Sequence, residues 1–356
     1  MSKTGPIAVL LGLIATTAML APVTPAMAAG QCVPGTTKRI AFMMKQQTAF
    51  RYLHADMPFF VKTAEAAGFK VLVQSAENDA QVQVSQAENV ITQGVDAIVI
   101  NPVDFHVAAQ IAETVAAAHI PLASYNDLIL GADHATFIGR DSKQGGVVAA
   151  KAILAKVPRG NYALIGGDPG QTGATDMQAG YHEVIDDAVR KGEITVVIDQ
   201  FAKGWKAEPA QAFAENALTR TGNKIDAFLV SYDGESLGVM QAIEGAGLKA
   251  GLIPVTGQDM ELAAAQAIAE GRMDGSVWPA PDEMGVAGAK VAIALATCQK
   301  PDTRDTINNG VAMMPWVKTP IYYVGQADLA AFVCKHDYWL DIDQVYKNAP
   351  KKKPAC

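Results

Sequence analysis

Gln86-Ala-Glu-Asn-Val-Ile-Thr-Gln-Gly-Val-Asp-Ala-Ile-Val-Ile-Asn-Pro102 is the stretch on which the fold turns. Its first part continues a helix that opens at Gln81, with Val84, Ala87 and Ile91 on one face, and Gly94 stops it. Ala97-Ile98-Val99-Ile100 follows, apolar at every position, and Pro102 ends the run. A strand without apolar/polar alternation is buried on both faces. That is expected of a parallel strand covered by helices on either side.

The same unit recurs outward from this point. Upstream, 39–44 and 70–74 read as strands around a helix over 58–67, with Pro58 in its first turn and Gly68 just past its end. Met43-Met44 in the first strand reads as core rather than as a soft-metal site. Downstream, 121–125 and 135–138 are strands. The pattern then restarts with strands at 161–165, 194–198, 227–230, 253–256 and 275–277. Helices fall near 173–191, 208–221, 233–245 and 260–270, and another over 282–297. Two successive runs of β-α units predict an α/β protein of two doubly wound parallel-sheet lobes.

The N-terminus sets the expected compartment. Lys3, an apolar run from Ile7 to Leu20 and the small-residue pattern Ala26-Met27-Ala28 read as a secretory signal peptide over residues 1–28. The alternative is a membrane anchor, but the run falls short of the roughly 20 apolar residues a span needs. Gln31 before Cys32 argues against a lipid anchor. Cleavage leaves 328 residues, enough for two lobes since single cores stop growing near ~250–300 residues. The formal charge is −7, and loss of Lys3 makes it −8. An acidic surface argues against nucleic acid as a partner. Lys351-Lys352-Lys353 reads as a solvated tail.

Catalytic signatures are missing from the sequence. Gly166-Gly-Asp-Pro-Gly-Gln-Thr-Gly173 lacks both the Gly-Lys-Ser/Thr ending of a phosphate loop and the GxGxxG of a dinucleotide site. It reads as a flexible loop. The six histidines are scattered, with no HExxH and no CxxC, so no metal and no cofactor is expected. Ser231-Tyr-Asp-Gly-Glu235 is not a nucleophile elbow. The chain reads as a binding protein and not as an enzyme.

In open α/β sheets a ligand sits beyond the carboxyl ends of the strands. Polar and aromatic residues collect there from both halves: Lys45, Phe50 and Arg51, Asn126-Asp127, Arg140-Asp141, Trp205, Tyr232-Asp233, Gln258-Asp259 and Trp278. Asp and Asn give paired hydrogen bonds to hydroxyls, and an aromatic face suits the C–H side of a sugar ring. Asp127 and Asp233 also read as N-caps of the helices that follow. Arg140-Asp141 also reads as an ion pair between lobes, and Lys45 and Arg51 as solvated surface. A small, largely neutral hydroxylated ligand is therefore expected, a sugar or polyol. A flatter ring compound is the alternative, resting on Tyr232 and Trp278.

Several stretches also match a known family in order and spacing. They are Gln86 to Pro102, Val157-Pro-Arg-Gly-Asn-Tyr162, Asn223-Lys-Ile-Asp-Ala227, Gly257-Gln-Asp259, Asn308-Asn-Gly310 and Lys318-Thr-Pro-Ile321. On these the chain resembles the type I periplasmic binding proteins, in particular their ribose- and xylose-binding-like branch. The resemblance implies a three-segment hinge, with crossings near Asp141, Trp278 and Gly310. It implies an N-terminal lobe of 38–141 plus 279–309, a C-terminal lobe of 142–278 plus 310–335, and a tail over 336–356. It further implies a periplasmic monomer that hands its ligand to an inner-membrane ABC permease. A sensing receptor of the same fold is the alternative. A LacI-like repressor shares the core fold but would open on a helix-turn-helix and a basic N-terminus.

The family's ligand positions are matched unevenly. Asp259, Trp205 and Arg140-Asp141 stay in register. Relatives carry Asp-Arg where this chain has Asn126-Asp127, a basic residue at Thr175, Asn at Tyr232 and a polar residue at Pro279, beside Trp278. Four cysteines, Cys32, Cys298, Cys334 and Cys356, predict disulfides in an oxidising compartment, with three pairings open. On the implied layout Cys298 and Cys334 both fall near the last crossings, so that pair is expected. Cys32–Cys356 is the alternative.

Overall fold

Short apolar strands alternating with one-faced helices can bury both only by layering, and the chain does so twice. The computed structural model describes residues 1–2 and 34–356. The chain divides into Met1–Cys32 and Val33–Cys356, and every element below belongs to the second unit. The expected signal peptide lies outside the described residues, apart from Met1 and Ser2.

The strands are β1 (Arg39–Met44), β2 (Lys70–Ser75), β3 (Ala97–Ile100), β4 (Leu122–Tyr125), β5 (Thr136–Arg140), β6 (Gly160–Gly166), β7 (Ile194–Phe201), β8 (Ala227–Val230), β9 (Thr256–Gln258), β10 (Gly275–Trp278), β11 (Asp305–Asn308), β12 (Met313–Thr319) and β13 (Tyr322–Gly325). The first lobe carries the sheet β11-β12-β5-β4-β3-β1-β2. All its pairs are parallel except β11 with β12. The second lobe has β7-β6-β8 and β13-β10-β9, joined by a parallel bridge between Phe228 and Val255.

Burial of β1 on both faces explains its unbroken apolar reading. Ile40, Phe42 and Met44 pack with Phe60 and Met284 on one side. Ala41 and Met43 pack with Ala87, Val90 and Ile111 on the other. Some helices start where a short polar side chain satisfies free amide groups. Asp79 accepts from the amides of Gln81 and Val82 at 2.8 and 3.1 Å, and opens the helix Ala80–Thr92. Asp104 does the same for Phe105–Ala117.

The chain passes from the first lobe to the second at Asp141, after β5, and returns after β10 at Pro279-Ala280, ahead of the helix Pro281–Ala296. The third crossing differs from the expectation near Gly310. β11 and β12 stay in the first sheet, and only β13 joins the second, so the crossing lies between Thr319 and Tyr322. The loop at Gly310 is instead a hairpin turn between antiparallel strands, with Gly310 at φ 93°. Hence 310–319 belongs to the first lobe.

Residues 336–356 are not a loose tail. Trp339, Leu340, Val345 and Tyr346 are buried in the core of the second lobe. Cys334 and Cys356 form a disulfide that closes this segment on itself. Cys298 is also disulfide-bonded. Neither the expected Cys298–Cys334 pair nor the alternative Cys32–Cys356 forms, because Cys334 and Cys356 take each other. The last turn places these two close together, a proximity that sequence order does not reveal. Cys32 lies outside the described residues.

Candidate functional site

The carboxyl ends of the strands in both lobes converge on one cleft. It holds a cavity of about 270 Å³. The first lobe supplies Lys45 from the end of β1, Arg51 and Tyr52 from the segment behind it, Asn126 after β4 and Arg140 at the end of β5. The second supplies Trp205 after β7, Tyr232 after β8, and Gln258 and Asp259 at the end of β9.

Two of the buried cations, Lys45 and Arg51, pair with carboxylates. Lys45 Nζ lies 3.2 Å from Asp127 Oδ2, and it donates to Gln171 Oε1 in the other lobe. Burial alone would lower the Lys45 ammonium, but Asp127 outweighs it and the pKa is raised. Burial would likewise raise Asp127. Lys45, then Arg140 and the Gly173 amide, hold its carboxyl below the ordinary value. Tyr52 and Trp205 flank the ammonium, with ring centroids at 5.8 and 5.6 Å. Arg51 grips Asp56 with two bonds of 2.9 and 2.8 Å and reaches Asp259 Oδ1 at 3.3 Å. Burial would lower the guanidinium, but Asp56 and Asp259 raise it well above its usual value. Tyr125 completes the group by donating to Asp56 Oδ1 at 2.5 Å.

Arg140 differs. One nitrogen donates to Asn126 Oδ1, and no carboxylate bonds it directly. Burial, followed by repulsion from Arg51, lowers its pKa. Among the described residues, Arg140 Nε and Gln258 Oε1 are buried without a hydrogen-bond partner. Both belong to residues that line the cleft, but the two atoms themselves are closed off from the cavity. Leaving such groups unmade costs about 1–3 kcal/mol each.

The lobes touch through further bonds. Gly173 N donates to Asp127 Oδ1 at 2.8 Å, and Leu128 N to Thr172 Oγ1 at 2.8 Å. Gln171 Nε2 donates to the Val103 carbonyl at 3.2 Å. The glycine-rich 166–173 segment thus makes the interlobe contact. A Cβ on Gly173 would meet Asp127 Oδ1 at 2.7 Å, so only glycine permits this approach.

Of the residues expected at the site, Lys45, Arg51, Asn126, Arg140, Trp205, Tyr232 and Asp259 line the cavity. Lys45 and Arg51 are buried rather than solvated, because carboxylates meet them. Six others do not line it. Phe50 turns outward onto His54 and Trp339. Asp127 sits behind Lys45. Asp141 accepts from Gln144 N as a helix cap and pairs with Lys318 at 2.9 Å. Thr175 donates to the Thr172 carbonyl within its own helix. Asp233 is fully buried and ties Ser276 to the Glu261 amide. Trp278 packs against Phe332 and Trp339. Sequence reading passed over Thr48, Ala49, Asn78 and Gly204 as lining residues. Their small or common side chains carry no local signal.

Two lobes facing each other across a polar cavity, with the Arg51–Asp259 ion pair reaching from one to the other, make a hinged trap for a small solute. Residues 40–300 match the family described as the periplasmic binding protein domain, and the chain belongs to that family. It is 38% identical over 260 residues to the D-xylose-binding periplasmic protein of Escherichia coli, covering 73% of this chain and 78% of that one. It is 28% identical over 320 residues to the multiple sugar-binding periplasmic receptor of Rhizobium radiobacter, covering 84% and 88%. In fold it resembles an ABC transporter solute-binding protein from Clostridium phytofermentans crystallised with β-D-glucose. The TM-score there is 0.79 at 24% identity, over 86% of this chain and 99% of that one. Members of the family are solute-binding transport proteins, and these relatives are sugar-binding proteins.

Proposed function

We propose that this chain is the periplasmic binding component of an ABC importer. It traps one neutral, polyhydroxylated ring of monosaccharide size and hands it to an inner-membrane permease. The observation that carries the ligand class is the mixed polar lining, in which the amides of Asn126 and Gln258 stand beside the Asp259 carboxylate and the Arg140 guanidinium. A hydroxyl donates and accepts at once, so sugar hydroxyls meet donors and acceptors alike, whereas a carboxylate would meet only the donors.

Two further features support the reading. The cations Lys45, Arg51 and Arg140 stand among the carboxylates Asp56, Asp127 and Asp259, so the cleft holds balanced charge and favours a neutral guest. The cavity of about 270 Å³ lies near the lower end of the ~300–1,000 Å³ range of small-ligand sites, as one small ring requires. The flat-ring alternative loses half its footing, because Trp278 is buried away from the cavity. The relatives' names add a sugar context. Asp127, outside the lining, acts on the ligand through Lys45 and Asn126, which both bond it.

Calorimetric titration with pentoses, hexoses, polyols, a uronic acid and an aromatic ring compound tests this. A neutral sugar or polyol should bind tightest. Binding of only the uronate or the aromatic compound tighter than millimolar would overturn the reading.

A further inference from the structure

The turn that carries Asp259 into the cleft has an unusual backbone. Asp259 has φ 94° and Met260 φ 53°, two successive non-glycine residues in the left-handed region. Such a turn persists only where its surroundings hold it. Three hydrogen bonds do so. Asp259 N donates to the Val277 carbonyl at 2.9 Å, and Met260 N to Ser276 Oγ at 3.1 Å. The third comes from far along the chain: Trp339 Nε1 donates to the Met260 carbonyl at 2.8 Å.

The same indole meets the opposite lobe. Its ring stands edge-on to Phe50, with centroids 4.8 Å apart. Phe50 precedes Arg51, and Met260 follows Asp259. Arg51 and Asp259 are the residues paired across the cleft at 3.3 Å. Trp339 therefore holds a neighbour of each member of that pair, from outside the cavity. It is itself fixed. It is 4% exposed, packs on Trp278 at 5.0 Å, and lies between the two cysteines of the Cys334–Cys356 disulfide. Next to it, Tyr338 meets Phe59 of the first lobe at 5.6 Å.

The geometry points to Trp339 as a positioning residue for ligand capture. It holds the left-handed turn that presents Asp259 and seats the loop that presents Arg51, so a segment with no residue in the cavity sets affinity. This inference rests on the binding role proposed above. Its test has one readout that needs no ligand.

Trp339→Phe keeps an aromatic face for Phe50 and removes the indole N–H. Leu340→Ala is the control. Leu340 is 2% exposed in the same segment and has no ring or side-chain bond to the cleft turns. Hydrogen exchange at the amides of Asp259, Met260 and Glu261 is followed in the unliganded protein. The dissociation constant for the tightest neutral sugar of the titration panel is then measured.

Trp339→Phe should speed exchange at these amides at least fivefold and weaken sugar binding at least fivefold. Leu340→Ala should lower the melting temperature and leave both readouts within twofold. Unchanged exchange in Trp339→Phe overturns the inference, and so does unchanged affinity or the same response from Leu340→Ala. If no sugar binds wild type, the sugar reading fails, and the exchange measurement still decides for or against Trp339. Should Trp339→Phe not fold, Phe50→Leu probes the contact from the other lobe. Weaker binding at an unchanged melting temperature supports the inference there, and unchanged binding overturns it.

Discussion

Replacing Asp259 with asparagine removes one charge from the cleft and very little else. Asparagine tolerates the left-handed backbone that this position requires, with φ at 94°, whereas alanine there would confuse backbone strain with lost chemistry. Arg51 keeps both bonds to Asp56, at 2.9 and 2.8 Å, so no buried cation is orphaned. What changes is the hydrogen bond that a ligand hydroxyl makes to the carboxylate, together with the 3.3 Å interlobe pair. A bond to a charged group contributes about 1.5–3 kcal/mol and a neutral one about 0.5–1.5. The difference, about 1–1.5 kcal/mol, corresponds to roughly a tenfold rise in Kd. Calorimetry with the best neutral sugar measures it, and a melting curve serves as control. The expected result is a tenfold weaker complex with a melting temperature close to that of wild type, since Arg51 keeps its two bonds to Asp56. Unchanged affinity would refute the placement of Asp259 against the ligand. A collapse in stability would refute the view that Arg51 is held mainly by Asp56.

Gly173→Ala should weaken sugar binding, because its Cβ would meet Asp127 Oδ1 at 2.7 Å and Arg140 Nη2 at 3.2 Å. Small-angle scattering of the saturated variant should show a larger radius than saturated wild type, and equal radii would contradict this. The Lys45–Asp127 pair should stabilise the fold at neutral pH and fail in acid. The Asp127 carboxyl titrates below its ordinary 3.8, so its contribution is present above that pH and lost as pH falls through the depressed value. Melting curves from pH 6 to 3 should show this loss in wild type and not in Asp127→Asn. Glu261 behaves in the opposite sense. Burial raises its carboxyl to about 7, so its contribution is full below 4.5 and lost as pH rises through about 7. Glu261→Gln should flatten the melting profile between those values, and an unaltered profile would count against that shift.

The fold was legible wherever one element gave one clear pattern. Ala97-Ile98-Val99-Ile100, closed by Gly94 before and Pro102 after, is such a case, and it forms the interior strand β3. The helix Ser142–Lys156 was passed over because Gly145-Gly146 break its pattern. Those glycines answer to packing and not to helix propensity. A Cβ on Gly146 would lie 2.0 Å from the Met177 carbonyl oxygen of the helix Thr172–Arg190. The third crossing was misjudged because β11 and β12 are a hairpin whose partner, β5, is 177 residues away at the bond between Trp316 Nε1 and the Gly139 carbonyl.

At the site, residues that leave a strand directly were readable, as with Lys45, Asn126, Tyr232 and Asp259. Two of the aromatic side chains were not. Phe50 and Trp278 have the composition of a sugar platform, yet both are drawn into the aromatic cluster around Trp339. That cluster exists because the last segment folds back, which no local pattern announces. Asp233 does not cap its helix and instead braces Ser276 and the Glu261 amide, while Asp141 caps the helix Ser142–Lys156 and pairs with Lys318 rather than with Arg140.

The central claim is that the cleft traps a neutral hydroxylated ring. Native mass spectrometry of freshly purified protein, before and after denaturation, tests it most directly. The account predicts a one-to-one complex that releases an unmodified neutral monosaccharide or polyol. Release of an anionic or aromatic compound, or of a chemically altered product from an added sugar, would contradict it.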